Sequence, residues 1–203
     1  IQGGVDASYG IGYVGAWFSN LDFGKTGGKD IANAEVDVYA GIKPVLGPVT
    51  FDLGVIYYAY PAARDSAAEL DYVELKLGAS MTPIDKLTAG AVFYWSPDYT
   101  GETGDVYTVE GTLAYALPKV WVFDPTISGR FGYQKGDEAA YAVLINGDDN
   151  YMYWDAGITL AVEKIAFDFR YIDTDISNAG GFCEGALFQC DATFLASVKI
   201  TLP

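Results

Sequence analysis

The chain has 203 residues, 51% of them hydrophobic, a formal net charge of -15 and no histidine. That acidity argues against a nucleic-acid partner, since neutralising phosphates needs Lys and Arg, and the missing His excludes Ser–His hydrolases, His-ligated zinc and His general bases. No run of about 18 apolar residues occurs, so no helical membrane span is expected, while 16 Tyr, 11 Phe, 4 Trp and 24 Gly favour strands.

No composition shift or linker divides the sequence, so residues 1–203 read as one domain. Alternation of period two predicts about eleven strands of about ten residues each, the length a tilted membrane strand needs. In chain order they lie near 1–8, 11–20, 33–43, 48–60, 70–81, 86–96, 105–116, 124–134, 150–161, 164–173 and 191–201. In the third, Ala34, Val36, Val38, Ala40 and Ile42 oppose Glu35, Asp37, Tyr39 and Lys43. In the fourth, Val49, Phe51, Leu53, Val55 and Tyr57 oppose Thr50, Asp52, Gly54, Ile56 and Tyr58. In the fifth, Val73, Leu75, Leu77 and Ala79 oppose Tyr72, Glu74, Lys76 and Ser80. Pro44, Pro48, Pro61, Pro83, Pro97, Pro118 and Pro125 fall in connections or at strand ends, where a missing N–H is harmless.

Short connections alternate with long ones at 21–32, 61–69, 97–104, 135–149 and 174–190. Short turns on one side and long loops on the other is the pattern of an outer-membrane barrel. The fold expected is therefore all-β, an antiparallel transmembrane β-barrel of about twelve strands. Eleven are visible, and because such barrels have an even strand count, one further strand is expected before Ile1. A soluble sandwich or lipocalin-like barrel would also alternate, but its apolar face would form a core. Here the apolar faces are almost uncharged, and aromatics gather at the loop-side ends: Trp17 and Phe18, Tyr57 to Tyr60, Phe93 to Trp95, Tyr151 to Trp154, and Tyr171. Such clustering predicts an interfacial girdle.

If apolar faces meet lipid, the opposite faces line a lumen. The candidates are Glu35, Asp37, Asp52, Glu74, Glu110, Asp155 and Asp168 as acids, with Lys76, Lys86, Arg130, Arg170 and Lys199 as bases; Asp6 and Lys43 share their faces. These charges either form an eyelet that selects small charged solutes or pair with one another and plug the barrel. Cys183 and Cys190 could close a loop by disulfide in an oxidising compartment. Asp148, Asp149, Asp173 and Asp175 cluster oxygen ligands as calcium prefers, though without the EF-hand pattern, and solvated loop acids are the commoner arrangement. Gly101 to Gly104 and Gly24 to Gly28 lack the strand-to-helix context of a phosphate loop. Strand glycines such as Gly41, Gly54 and Gly157 are expected to permit curvature or leave lumen space. No cofactor and no catalytic residue is expected.

Several stretches carry a family resemblance: 12–24 (Gly12-Tyr13-Val14-Gly15-Ala16-Trp17), Glu35-Val36-Asp37-Val38-Tyr39-Ala40-Gly41, Gly47-Pro48-Val49-Thr50-Phe51-Asp52, Tyr94-Trp95-Ser96-Pro97-Asp98, Tyr153-Trp154-Asp155-Ala156-Gly157 and Asp168-Phe169-Arg170-Tyr171. In these the chain resembles the TorF family of porin-like bacterial outer-membrane proteins. The resemblance spans nearly the whole chain and implies an exported barrel in a Gram-negative outer membrane, facing lipid and lipopolysaccharide, with a pore role in the passage of small hydrophilic solutes. A non-conducting barrel whose acidic loops bind a partner or cations is the alternative. The family supplies no substrate and no catalytic residues to carry over.

Overall fold

The computed structural model describes residues 1–23, 25–26, 29–61, 63, 69–145, 147–176 and 190–202. The strands are β1 (Gln2–Tyr9), β2 (Gly12–Asn20), β3 (Lys25–Thr26), β4 (Lys29–Asp30), β5 (Ala34–Ile42), β6 (Val45–Leu46), β7 (Val49–Ala59), β8 (Tyr72–Ile84), β9 (Leu87–Ser96), β10 (Val106–Ala116), β11 (Asp124–Gly136), β12 (Asn150–Val162), β13 (Ile165–Thr174) and β14 (Thr193–Ile200). Among the described residues one short helix, α1 (Ala139–Leu144), interrupts them. Each long strand pairs antiparallel with the next in the order β1-β2-β5-β7-β8-β9-β10-β11-β12-β13-β14, and β6 pairs beside β7, giving a twelve-stranded sheet. The twelfth strand counted is thus the short β6. A separate hairpin, β3 with β4, sits inside what the sequence reads as a plain loop.

The hydrogen-bonded register explains the face assignments. Asp37 pairs with Tyr58, Asp52 with Gly78, Arg130 with Asp155 and Gly157 with Arg170. Side chains alternate along a strand, so polar residues pool on one face and apolar residues on the other. On the apolar face charged residues occur only at loop-side strand ends, as with Lys135 and Asp173.

The apolar face is the exposed one. Leu77 is 51% exposed and Phe169 50%, and Val38, Val55, Leu75, Val109, Leu113 and Phe131 are open to the surroundings as well. Among the described residues the buried hydrophobics are only Ala32, Tyr60, Val106, Tyr141 and Ile145, while Glu74, Ser96, Thr103, Thr108, Gln134 and Asp155 are buried polar groups. A soluble sandwich buries its apolar faces, so this inverted pattern removes that alternative. A sheet that turns Leu, Val and Phe outward over many strands needs an apolar solvent. Leu77→Arg, near the middle of β8, is expected to cost about 2–4 kcal/mol of stability in lipid vesicles. Thr112→Arg on the polar face is expected to cost far less, and urea unfolding of the two variants checks the difference.

The aromatic girdle needs correcting. Phe18, Tyr57, Phe93, Trp95, Trp154 and Tyr171 do lie on the apolar face near the long loops, but Trp17, Tyr58, Tyr60, Tyr94, Tyr151 and Tyr153 point to the polar face. Consecutive aromatics in a strand must alternate, so about half of each run turns inward.

Candidate functional site

Two neighbouring cavities open on the polar face. The larger, about 480 Å³, lies toward the short turns and is lined by Lys43, Thr50, Asp52, Lys76, Ser80 and Thr112 among others. The smaller, about 250 Å³, lies toward the long loops, with Tyr58, Tyr72, Glu74, Tyr99, Arg130 and Tyr153 in its wall. Tyr94 and Glu110 line both and mark where they meet.

Several charges on this face are paired along the wall. Asp52 sits 2.6 Å from Lys76 Nζ and 3.9 Å from Lys43 Nζ. Arg130 reaches Glu110 at 3.0 Å and Asp155 at 2.8 Å. Arg170 reaches Asp155 at 2.5 Å and Asp168 at 3.0 Å, and also donates to Ser128. The ion pairs join adjacent strands, a single strand for Arg170 and Asp168, or for Lys43 the end of β5 with β7, while the Arg170–Ser128 bond spans β12 along the same wall. They therefore stiffen the wall and do not bridge the interior. Buried Asp155 accepts from two guanidiniums, which compensates the desolvation of its charge.

Tyrosines strap the wall over longer spans. Tyr13 on β2 donates to Asp52 on β7 at 2.7 Å, crossing β5 at Gly41. Tyr39 on β5 donates to Asp6 on β1 at 2.6 Å, crossing β2 at Gly15. Tyr153 on β12 donates to Glu110 on β10 at 2.6 Å, crossing β11 at Gly132. In each case a Cβ on the glycine would collide with the ring or hydroxyl above it. A ring laid flat over a bare backbone holds the strands in register and carries its hydroxyl two strands away. Gly132→Ala is expected to push Tyr153 off Glu110 and cost about 1–3 kcal/mol. Gly111→Ala, where a Cβ meets nothing within 4 Å, is expected to leave the urea midpoint unchanged.

The remaining candidates are placed as follows. Glu74 is buried and accepts from the Tyr58 hydroxyl at 3.0 Å. Asp37 lies cross-strand from Tyr58, and its Oδ1 is buried without a hydrogen-bond partner. Glu35 shares the face of Asp37, one turn of the pleat nearer the loops. Lys199 is exposed on β14, on the face of Asp168. Lys86 differs from the strand position read in the sequence: it stands in the β8–β9 turn with φ 67°, because a two-residue turn needs that left-handed conformation. Cys183 lies outside the described residues, so its pairing with Cys190 does too; the Cys190 carbonyl accepts from Thr174 Oγ1 at 2.8 Å.

The loop acids are engaged by protein donors. Asp149 lies beside the Asn150 amide and 3.5 Å from Lys135, which together hold its carboxyl below the usual range. Asp175 accepts from the Met152 N–H at 2.7 Å, and Asp173 accepts from the Tyr171 hydroxyl at 2.8 Å. Asp148 stays exposed. Among the described residues no three Asp, Glu, Cys or His side chains form a group able to hold a metal ion.

Sequence reasoning missed the stopper at the loop-side mouth. Helix α1 packs Tyr141, 1% exposed, against Val106 and Ile145, with Tyr99, Tyr151 and Ile176 around them. The Tyr141 hydroxyl donates to Gln134, which donates to Thr108. Burial pushes the Tyr99 and Tyr141 hydroxyls up from their ordinary range, which keeps both neutral. The signal was present in Ala139-Ala140-Tyr141-Ala142, a helix-favouring run, but six residues are too few to show a period.

Known proteins place this architecture. A family described as bacterial protein of unknown function (Gcw_chp) matches residues 1–202. The NanC porin has a similar structure, with a TM-score of 0.62 and 12% sequence identity over 99% of this chain and 98% of that one. A porin refined at 1.8 Å resolution gives a TM-score of 0.45 and 19% identity, over 97% of this chain and 60% of that one. No curated protein matches. The fold is the all-β antiparallel sheet of porin barrels.

Proposed function

The chain belongs to the Gcw_chp family of bacterial proteins of unknown function, and we propose from that premise that it is a porin-type channel of the bacterial outer membrane. Small hydrophilic solutes or ions cross it by passive diffusion, and lipid and lipopolysaccharide surround it. The observation that supports this most is the pairing of its interior charges along the wall. Arg130, Arg170 and Lys76 are all satisfied by acids on the same or neighbouring strands, which leaves two neighbouring cavities between them. A barrel evolved only as a plug has no need of such cavities, and side chains meeting across the middle would stabilise it better. The TorF resemblance agrees with the same role.

Lumen-lining roles follow for Asp37, Asp52, Glu74, Lys76, Glu110, Arg130, Asp155, Asp168 and Arg170, with Glu35 and Lys199 toward the two mouths. Cys183 and Cys190 close the β13–β14 loop by disulfide in the oxidising space outside the inner membrane. A second reading, a non-conducting barrel, is favoured by one feature, the Tyr141 stopper over the loop-side mouth.

Single-channel recording of the refolded full chain in a planar bilayer under a salt gradient separates the two. Discrete steps with a reproducible reversal potential are expected. Asp37→Asn is expected to move that potential toward anion selectivity and Arg130→Ala toward cation selectivity. A correctly folded barrel that stays silent would overturn the channel.

A further inference from the structure

We propose that the β10–β11 turn, with Trp121 at its tip, is an anchor that docks on the lipid headgroup region at the short-turn side of the barrel. The inference rests on the reading of the apolar face as lipid-facing and does not depend on conduction.

Turns that face water are built mainly from Gly, Pro, Asn, Asp and Ser, whereas the tip of this one is Val120-Trp121-Val122. Val120 and Phe123 exchange both backbone hydrogen bonds, each at 3.0 Å, so Trp121 and Val122 are the central residues of a two-residue hairpin turn. Trp121 has φ 53°, while Val122 does not share the left-handed conformation. A turn of this kind favours glycine at its first central position. A bulky side chain there strains the backbone, so turn geometry alone does not account for a tryptophan. The ring is nevertheless held out at the tip, 83% exposed.

The turn leans over the apolar face and away from the lumen. Trp121 meets Phe123 edge to face with ring centroids 6.0 Å apart, and Phe123 meets Phe167 on β13 in the same manner at 6.4 Å. Phe167 lies opposite Leu160, and Leu160 opposite Pro125, all on the apolar face. The aromatic chain therefore crosses β12 along the outer wall, continuous with the exposed Ile127 and Ile165. That continuity selects lipid as the occupant.

The level is fixed by charge and by distance. Lys119 and Asp124 form an exposed pair 3.3 Å apart at the base of the turn, which hydrocarbon would not accept. Headgroup depth suits both that pair and an indole, whose N–H stays wet while its ring meets acyl chains. On β11, Phe131 lies opposite Trp154 of the loop-side aromatics. From Phe131 down to Phe123 the strand covers about 20 Å of membrane depth at the usual tilt, close to the about 25 Å of a barrel's apolar band. Exposed Val45, Leu46 and Ile84 add apolar surface at the same end.

Depth-dependent quenching of Trp121 fluorescence, in the full chain refolded into dioleoylphosphatidylcholine vesicles, tests the anchor. The Trp121 signal is the difference between the unmodified chain and Trp121→Phe. Lipid brominated just below the headgroup is expected to remove most of it, lipid brominated near the methyl end of the chains less, and aqueous iodide little. Trp121→Gly is expected to lower the folded-to-unfolded ratio in the same vesicles about tenfold, although glycine is the residue this backbone prefers. Quenching by iodide and by neither lipid, stronger quenching by the deeper bromines, or a Trp121→Gly variant at least as stable as the unmodified chain would overturn the proposal. Lipid quenching in a chain that carries no current would support the anchor while overturning the channel, whereas current from a chain whose Trp121 answers only to iodide would overturn the anchor alone.

Discussion

Asp155→Ala is expected to destabilise the barrel by about 2–3 kcal/mol, less than a fully buried ion pair costs when broken, because Arg130 keeps 42% exposure to solvent. Asp155 is 7% exposed and is the one acid shared by Arg130 and Arg170. Its removal leaves two guanidiniums facing each other across β12, with Arg130 held only by Glu110 and Arg170 only by Asp168 and Ser128. Urea unfolding in lipid vesicles, followed by tryptophan fluorescence, reads the loss. Asp155→Asn keeps an acceptor for one guanidinium and is expected to lose less. The same alanine variant is expected to turn the channel toward anions, since it releases positive charge into the interior. An unmoved urea midpoint would mean that the Arg–Asp ladder adds nothing to the wall.

Tyr141→Ala is expected to raise single-channel conductance severalfold while barely changing the unfolding of the strands. The ring is almost fully buried in the mouth, its hydroxyl ends a chain through Gln134 to Thr108, and Gly136 beneath it leaves room for the ring alone. Truncating a buried aromatic of this size removes about 3 kcal/mol of packing, but here the loss is confined to α1, the loops and the loop-side ends of β10 and β11. None of the strand pairs in the register involves Tyr141. Conductance equal to that of the unmodified chain would show that the stopper is not the constriction.

The two expectations draw on different layers of the molecule, and these layers were unequally legible in the sequence. Strand positions were readable because the apolar–polar alternation is strict: the segment read as 86–96 is Leu87–Ser96, and that read as 191–201 is Thr193–Ile200. The face of each charge was readable for the same reason, apart from Lys86, which one residue of turn removes from its strand. Which charges meet was not readable. Tyr153 and Glu110 are 43 residues apart, and Tyr13 and Asp52 are 39 apart. Their contacts depend on register across an intervening strand and on a glycine there, and neither is a property of any local window. Aromatic runs such as Tyr57 to Tyr60 misled because composition locates a cluster without dividing it between faces. The inward half, Tyr58 and Tyr60, is what walls the upper interior.

A barrel with this pattern has its solvent preferences reversed relative to a soluble protein. Stability then rests on strand hydrogen bonds and on the polar wall, since little apolar surface is buried within the chain itself. That accounts for the density of straps: acids at Asp6, Asp52 and Glu110 each anchor a tyrosine that spans a third strand.

The central claim is that one face of each strand meets lipid and the other meets water. Spin labels placed singly along β8 in liposomes test it most directly, by comparing collision with oxygen, which partitions into lipid, and with a water-soluble nickel chelate. Labels at Val73, Leu75 and Leu77 are expected to favour oxygen, and labels at Lys76 and Ser80 the nickel chelate, in strict alternation. Labels at all five positions reporting the same environment, whether aqueous or lipid, would contradict a water-holding barrel in a membrane.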